Sequence, residues 1–317
     1  LAFVLGVLMS TSATASTLFV QTGDNVLVYP APFDSSSTTV TFPPLFYPLA
    51  MTVSPSQTLF VTSLNSSVIV FDPPYTSART VITAGMNAPG DLLLDSTGRL
   101  VVIQHGTHAI TVYDPPFTSA PALVISSGIR EPHALAINSR DQLFVADFAG
   151  GTSTASHPAD PGSITVYDPP YASPSATITA GIDFPDAITI DGAQNLLVAN
   201  QRGNSISRYS PPYTGSPTII SKGVNAPDAI AVGADGRLYV ANFGNDTITI
   251  YDPPYTSDPV VTISSGIKGP DSLAVDGTGA LFVANRVAPT VTRYDRPYTA
   301  GPSRTLNVGS AYEVLLH

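Results

Sequence analysis

The sequence predicts an all-β fold, a seven-bladed β-propeller of four-stranded blades whose N- and C-terminal strands share one blade. Three observations carry this. First, an aromatic-Asp-Pro-Pro-aromatic block recurs at Phe71 to Tyr75, Tyr113 to Phe117, Tyr167 to Tyr171, Tyr209 to Tyr213, Tyr251 to Tyr255 and Tyr294 to Tyr298, with Ser210 and Arg296 as substitutions and a degenerate copy at Tyr29 to Phe33. Second, the first aromatics are spaced by 42, 42, 54, 42, 42 and 43 residues, the period of a propeller blade of about 40–45 residues. Third, residues 17–46 supply only the last three strands of a unit, and the closing AYEVLLH resembles the missing first strand. Such a joint leaves no long sheet edge exposed.

Within the unit that opens at Asp228, β-branched or alternating runs are separated by Gly, Asn, Asp and Pro, which spells strands and turns without a helix. The expected strands are A (Ala229 to Val232), B (Arg237 to Asn242), C (Thr247 to Tyr251) and D (Pro259 to Ser264). A tight Asp/Gly turn joins A to B. Asp-Pro-Pro ends strand C, because proline cannot donate to a ladder and suits the passage to an edge strand. The paired aromatics are expected to pack between neighbouring blades.

Before the first unit, residues 1–15 read as a signal peptide: an apolar run, LAFVLGVLMS, then small polar residues and an Ala13-Thr14-Ala15 pattern. The run is shorter than the ~20 apolar residues a membrane span needs. A mature chain of 16–317 is therefore expected as one propeller domain, secreted, periplasmic or at the cell surface, with no transmembrane anchor.

The 317 residues are 43% hydrophobic and 11% charged, a composition that excludes disorder. Thirteen Lys+Arg against 23 Asp+Glu leave a net charge of −10, and the basic residues are scattered singly. Nucleic-acid binding is excluded on that ground. Cysteine is absent, so any metal would need oxygen or imidazole ligands. No P-loop, Rossmann fingerprint, nucleophile elbow or zinc-protease helix motif is present. Asn65 and Asn245 head glycosylation sequons.

The phrase Pro270-Asp-Ser-Leu-Ala-Val-Asp-Gly-Thr-Gly-Ala-Leu-Phe-Val-Ala-Asn285, with variants at Pro132, Pro185 and Pro227, resembles the NHL and YVTN repeat propellers. It is also similar to the gluconolactonase and streptogramin-lyase families. The resemblance covers essentially the whole mature chain. It implies a propeller with strand A nearest the axis, so that D–A and B–C loops share one face.

Projected onto that plan, the position opening strand A holds Glu313, Leu49, Gly90, His133, Asp186, Asp228 and Asp271 in blades one to seven. The end of strand B holds Thr22, Ser63, Gln104, Asp147, Asn200, Asn242 and Asn285. Carboxylates and amide oxygens converging on a channel mouth are ligands for a hard cation such as Ca²⁺, and metal ligation is expected of Asp186, Asp228, Asp271 and Glu313. Comparison with the gluconolactonases implies the same for the three aspartates, with Asn200 as a looser match. An Asp after Pro also commonly caps a turn.

His105, His108, His133 and His157 fall on the same projected face, and His133 or His105 could move a proton near neutral pH. Asp147, Asn200, Asn242, Asn285, His108 and His157 are the expected ligand-binding residues. The 12-residue excess in the fourth interval maps to 149–162, a B–C insertion beside His133, and loop insertions on rigid scaffolds carry recognition. The expected function is an exported rigid scaffold that binds a small molecule, glycan or protein through this face, with no certain cofactor. Two alternatives stand: a divalent-metal-dependent lactonase or lyase with a Ca²⁺-like ion at the channel mouth, and a surface or matrix protein that assembles laterally.

Overall fold

The computed structural model describes residues 17–317 except 32, 34–37, 43–46, 119, 149–159 and 257. The expected signal peptide, His157 and most of the blade-four insertion thus lie outside the described residues. Seven four-stranded antiparallel sheets stand in a ring, their A strands in contact from blade to blade around the axis. Blade one is closed by the two ends of the chain: strand A (Glu313–Leu316) pairs with B (Thr17–Gln21), followed by C (Val26–Pro30) and D (Thr38–Val40). Backbone bonds between Thr17 and His317, both 3.1 Å, fasten the joint.

Blade six shows how the unit is built. Its strands are A (Pro227–Val232), B (Leu238–Asn242), C (Thr247–Tyr251) and D (Val261–Ile263). Strand D starts later than the sequence suggests, because Pro259 has no N–H and the first bond comes from Val260 to the Ile250 carbonyl at 2.8 Å. Strand A starts earlier, at Pro227, through a bulge: Pro227 faces Asn242, Ala229 faces Ala241, and Asp228 has no partner between them. The same irregularity occurs in blades four, five and seven, and a two-residue form in blades two and three. A bulge re-aims the extra side chain, so in blades two to seven the Pro-x step turns one or two residues out of the ladder at the start of strand A.

The A–B turns are held by the acid or amide that follows strand A. Asp95, Asn138, Asp191 and Asp276 each accept backbone N–H bonds from two and four residues on, at 2.8–3.0 Å. The Asx turn therefore belongs to this aspartate and not to the Pro-Asp pair.

Apolar clusters fill the spaces between adjacent blades, and the aromatic block serves them. The first aromatic reaches the D–A turn of the preceding blade: Tyr113, Tyr251 and Tyr294 donate to the carbonyls of Ala84, Lys222 and Ser265 at 2.8, 2.6 and 2.7 Å. The second aromatic donates to its own A–B turn, as Tyr255 does to Gly236 at 2.7 Å. Its ring packs edge-on against a strand-B ring of the blade before, Tyr213 against Phe144 at 4.9 Å and Phe117 against Phe60 at 5.2 Å. One sequence element thus ties two blades and two loops.

Candidate functional site

The bulges place His133, Asp186, Asp228 and Asp271 side by side at the D–A end of the axis, on blades four to seven. Nε2 of His133 lies 3.1 Å from Oδ1 of Asp186. The Asp186 and Asp271 carboxyls are each within hydrogen-bonding reach of Asp228. Gln201 Nε2 donates to Asp228 at 3.0 Å, and Arg286 is ion-paired with Asp271 at 3.0 Å. Glu313 continues the arc on blade one. It feels the charges of Asp271 and of Asp91, with the Met51 N–H as compensation.

Five carboxyls, Asp91, Asp186, Asp228, Asp271 and Glu313, are at most 2% exposed. Burial penalises the charged form of a carboxyl. It lifts Asp186 and Glu313 well above the carboxylate range, with nearby carboxylates adding to the effect. Asp271 is pushed up to about 9 by burial and then by Asp228, against the pull of Arg286. Burial pushes Asp91 up to about 8, opposed by backbone N–H bonds from Leu92 and Leu135, both 2.8 Å. Among the described residues no donor reaches Oδ2 of Asp186 or Oδ2 of Asp228. With Asp186 and Asp271 both shifted upward beside Asp228, a proton on either one is placed to be donated to Asp228.

Asp91 escaped the sequence reading, which placed Gly90 in the ring. The structure explains both residues. A Cβ on Gly90 would lie 2.3 Å from Nε2 of His105, so glycine leaves the slot for that imidazole. Burial, with the charges of His133 and His108, pushes His105 down to about 4. Asp91 sits one step on, where Ser272 of blade seven accepts the N–H of Val314 from the next blade's strand A, and makes the same inter-blade contact to Leu135. The signal was an Asp where the other blades have Ala, Ser or, in blade one, Val314.

The second ring is occupied by the fold itself. Oδ1 of Asn200, Asn242 and Asn285 accepts the backbone N–H of Asp183, Asn225 and Lys268 at 3.0, 2.9 and 2.9 Å. Their Nδ2 atoms donate to hydroxyls of strand C, Ser207, Thr249 and Thr292, at 2.9, 3.0 and 3.0 Å. Asp147 accepts from Arg130, Glu131 and Thr165 at 2.9, 3.2 and 3.3 Å, and burial raises its pKa. These four shape the D–A loops and are buried beneath them. In blade one the ring position is Gln21 and not Thr22, because Gln21 pairs with Val26 as Asn200 pairs with Ser205.

The residues that reach the mouth follow the ring by one place: His105, Phe148, Gln201, Phe243 and Arg286, all partly exposed. The Phe148 ring lies 5.0 Å from His133 and 5.0 Å from Phe184. Guanidinium groups cover two of the rings, Arg202 over Phe184 at 4.0 Å and Arg286 over Phe243 at 4.7 Å. His108 is bonded to the Arg130 carbonyl, and Arg130 pairs with Asp160 at the end of the insertion. Towards blades seven, one and two the same face also exposes apolar side chains, among polar loop residues such as Asp24 and Asn65. Leu64, Tyr47, Tyr312 and Val287 are 39–58% exposed, on the D–A and B–C loops of blades seven, one and two.

The residues expected to ligate a metal are thus brought together in pairs and not around a common point. Among the described residues no group of three or more His, Asp or Glu is arranged to hold a metal ion. Arg286 and His133 already stand beside two of the carboxyls. Among the described residues no helix is long and apolar enough to cross a membrane.

The fold and site together define a seven-bladed β-propeller with a buried acidic arc under a mixed aromatic, cationic and apolar face. No protein-family model and no curated protein sequence matches the chain. Solved structures similar to it include Kuenenia stuttgartiensis hydrazine synthase, at 17% identity over 94% of this chain and 96% of that chain, TM-score 0.76. Virginiamycin B lyase from Staphylococcus aureus is similar at 16% identity over 89% and 91%, TM-score 0.66, and a chain of the mitotic checkpoint complex at 16% over 90% and 95%, TM-score 0.70. The likeness to a lyase-type propeller seen in the repeats is met at the level of the fold.

Proposed function

We propose that the chain is an exported, rigid binding scaffold whose D–A and B–C face receives a protein partner. The observation that carries this is the clustering of exposed apolar side chains. Tyr47, Leu64, Val287 and Tyr312 lie on that face over three consecutive blades, while the other large exposed apolar residues among those described, Val81, Val124, Ile219 and Val260, are spread around the outer D edges. Exposed apolar side chains gathered on one face among polar residues mark an interaction site, and the aromatic and arginine side chains of blades four to seven add the residue types that anchor interfaces. Export rests on the apolar run and small-residue pattern of residues 1–15.

The test is capture from the medium or periplasm in which the chain is expressed, comparing wild type with Leu64→Glu/Tyr312→Glu and with Val124→Glu as an outer-edge control. A stoichiometric partner retained by wild type and Val124→Glu and lost by the double variant supports the reading. Equal capture by all three contradicts it.

A divalent cation bound by Asp186, Asp228, Asp271 and Glu313, with His133 or His105 moving a proton in a lactonase or lyase, is the second reading. It is favoured by the unshared oxygens of Asp186 and Asp228 and requires the carboxyls to converge from their present pairwise contacts.

A further inference from the structure

We propose a second binding site on the opposite face, in the A–B mouth of the channel, for a neutral amphiphile that inserts an aliphatic body along the axis. A cavity of about 1210 Å³ opens there, larger than the ~300–1,000 Å³ of most small-molecule sites. The last residues of strand A in five consecutive blades, Leu316, Val53, Leu94, Ile137 and Ile190, form its wall. The two aromatic rings that reach it, Phe60 and Phe117, are buried and packed edge-on against each other. No ring face is offered on which a sugar could stack, so the wall recognises an aliphatic body by burial alone.

The rim sets the head group. The A–B turns surround the opening with the hydroxyls of Ser54, Ser56, Ser96, Thr97 and Ser139; the protons of Ser96, Thr97 and Ser139 go to Asp141, Asp95 and Gln194 and Ser54 and Ser56 bond each other, so the rim offers oxygen lone pairs to a head group that donates. The charged groups at the rim already have partners. Arg79 is paired with Asp72 at 3.1 Å. Asp95 takes Arg99 at 2.6 Å and its own turn, Asp191 takes Asn195 at 2.8 Å, and Asp141 takes the Ser96 hydroxyl at 2.5 Å. Burial holds the His317 imidazole below its ordinary range, opposed by a backbone hydrogen bond at Ser54. A carboxylate or phosphate head would meet three aspartates and no uncommitted guanidinium, so a neutral, hydroxylated head fits.

Gly192 supplies the test. It lines the cavity, and a Cβ built on it meets nothing within 4 Å; Gly215, in the C–D loop of blade five and away from the cavity, is equally open. Gly192→Trp would place an indole in the mouth without a clash at its Cβ, and Gly215→Trp is the matched control. Titration calorimetry of the full chain with n-octyl β-D-glucoside below its micelle concentration, with n-octanoate and with glucose reads the outcome, and melts of each variant confirm that it is folded. The expected result is one octyl glucoside per chain in wild type and Gly215→Trp, binding at least tenfold weaker in folded Gly192→Trp, and binding of octanoate and of glucose at least tenfold weaker than of octyl glucoside in wild type. Absence of octyl glucoside binding, or equal binding by Gly192→Trp, overturns the site. Octanoate binding as tightly overturns the neutral head, and glucose binding as tightly makes the mouth a carbohydrate site instead.

Discussion

Replacing Asp228 with Asn tests whether the axial arc is governed by shared protons. Asp228 stands between Asp186 and Asp271 and raises both. A carboxyl whose folded pKa lies above its unfolded value makes its full contribution below the unfolded pKa. That contribution falls as pH rises towards the folded pKa and is gone above it. For Asp271 the window runs from 3.8 to about 9, which at about 1.4 kcal/mol per pH unit sets a ceiling of about 7 kcal/mol. Burial is the larger cause and remains in the variant. The part due to Asp228 is one buried charge pair, about 4 kcal/mol at ~4 Å with an effective dielectric of ~20. Asn keeps the acceptor for Gln201 and adds an N–H that a carboxylate neighbour accepts. Asp228→Asn should therefore match wild type at pH 5 and be more stable by about 2–4 kcal/mol at pH 9, a gain of about 4–8 °C in Tm at ~2 °C per kcal/mol. Thermal melts by circular dichroism from pH 5 to 9, all in chelator, read this. A variant that parallels wild type across the range, or is less stable at pH 9, refutes the reasoning.

Other consequences follow from the same structure. Gly90→Ala forces the His105 ring from its slot at a cost of about 1–3 kcal/mol; the imidazole should titrate nearer 6.5 by NMR, and an unmoved resonance would contradict the packing. Because wild-type His105 is held down to about 4, its contribution to stability is present above about 6.5 and lost as pH falls towards 4, so acid melts of Gly90→Ala should show a shallower loss. Deleting residues 311–317 removes the strand that pairs Glu313 to Leu316 with Gln21 to Leu18; the cooperative melt should vanish, and an unchanged melt would refute the closure. Tyr251→Phe loses one bond to the Lys222 carbonyl and should cost about 1 kcal/mol, against about 3–5 kcal/mol for Tyr251→Ala, which also empties the inter-blade space; equal losses in denaturant melts would show that the ring does not pack.

Much of this was legible in the chain because amplification of one unit writes the fold seven times. The spacing of Tyr113, Tyr167, Tyr209 and their equivalents counted the blades, and the Pro-Asp step located Asp186, Asp228 and Asp271 at the axis. What the repeat concealed was local register. A bulge adds a residue to a strand without changing the length of the unit, so Gly90 filled the ring slot on paper while His105 fills it in space. Asn200, Asn242 and Asn285 look alike whether they face a ligand or a backbone amide, and only the D–A loops folding back over them decide for the latter. The apolar arc of Tyr47, Leu64, Val287 and Tyr312 is scattered in sequence and is assembled by ring closure alone. The cavity at the A–B mouth is equally a product of closure, since its wall takes one side chain from each of five strands.

The central claim, that the arc is a proton-sharing element beneath a binding face, is tested most directly by metal analysis of the protein purified without chelator, paired with melts before and after adding EDTA. The account predicts no stoichiometric divalent metal and an unchanged Tm. One equivalent of Ca²⁺ or another divalent ion per chain, with a Tm that falls in EDTA and returns when the ion is restored, would contradict it and make the carboxyl arc a metal site.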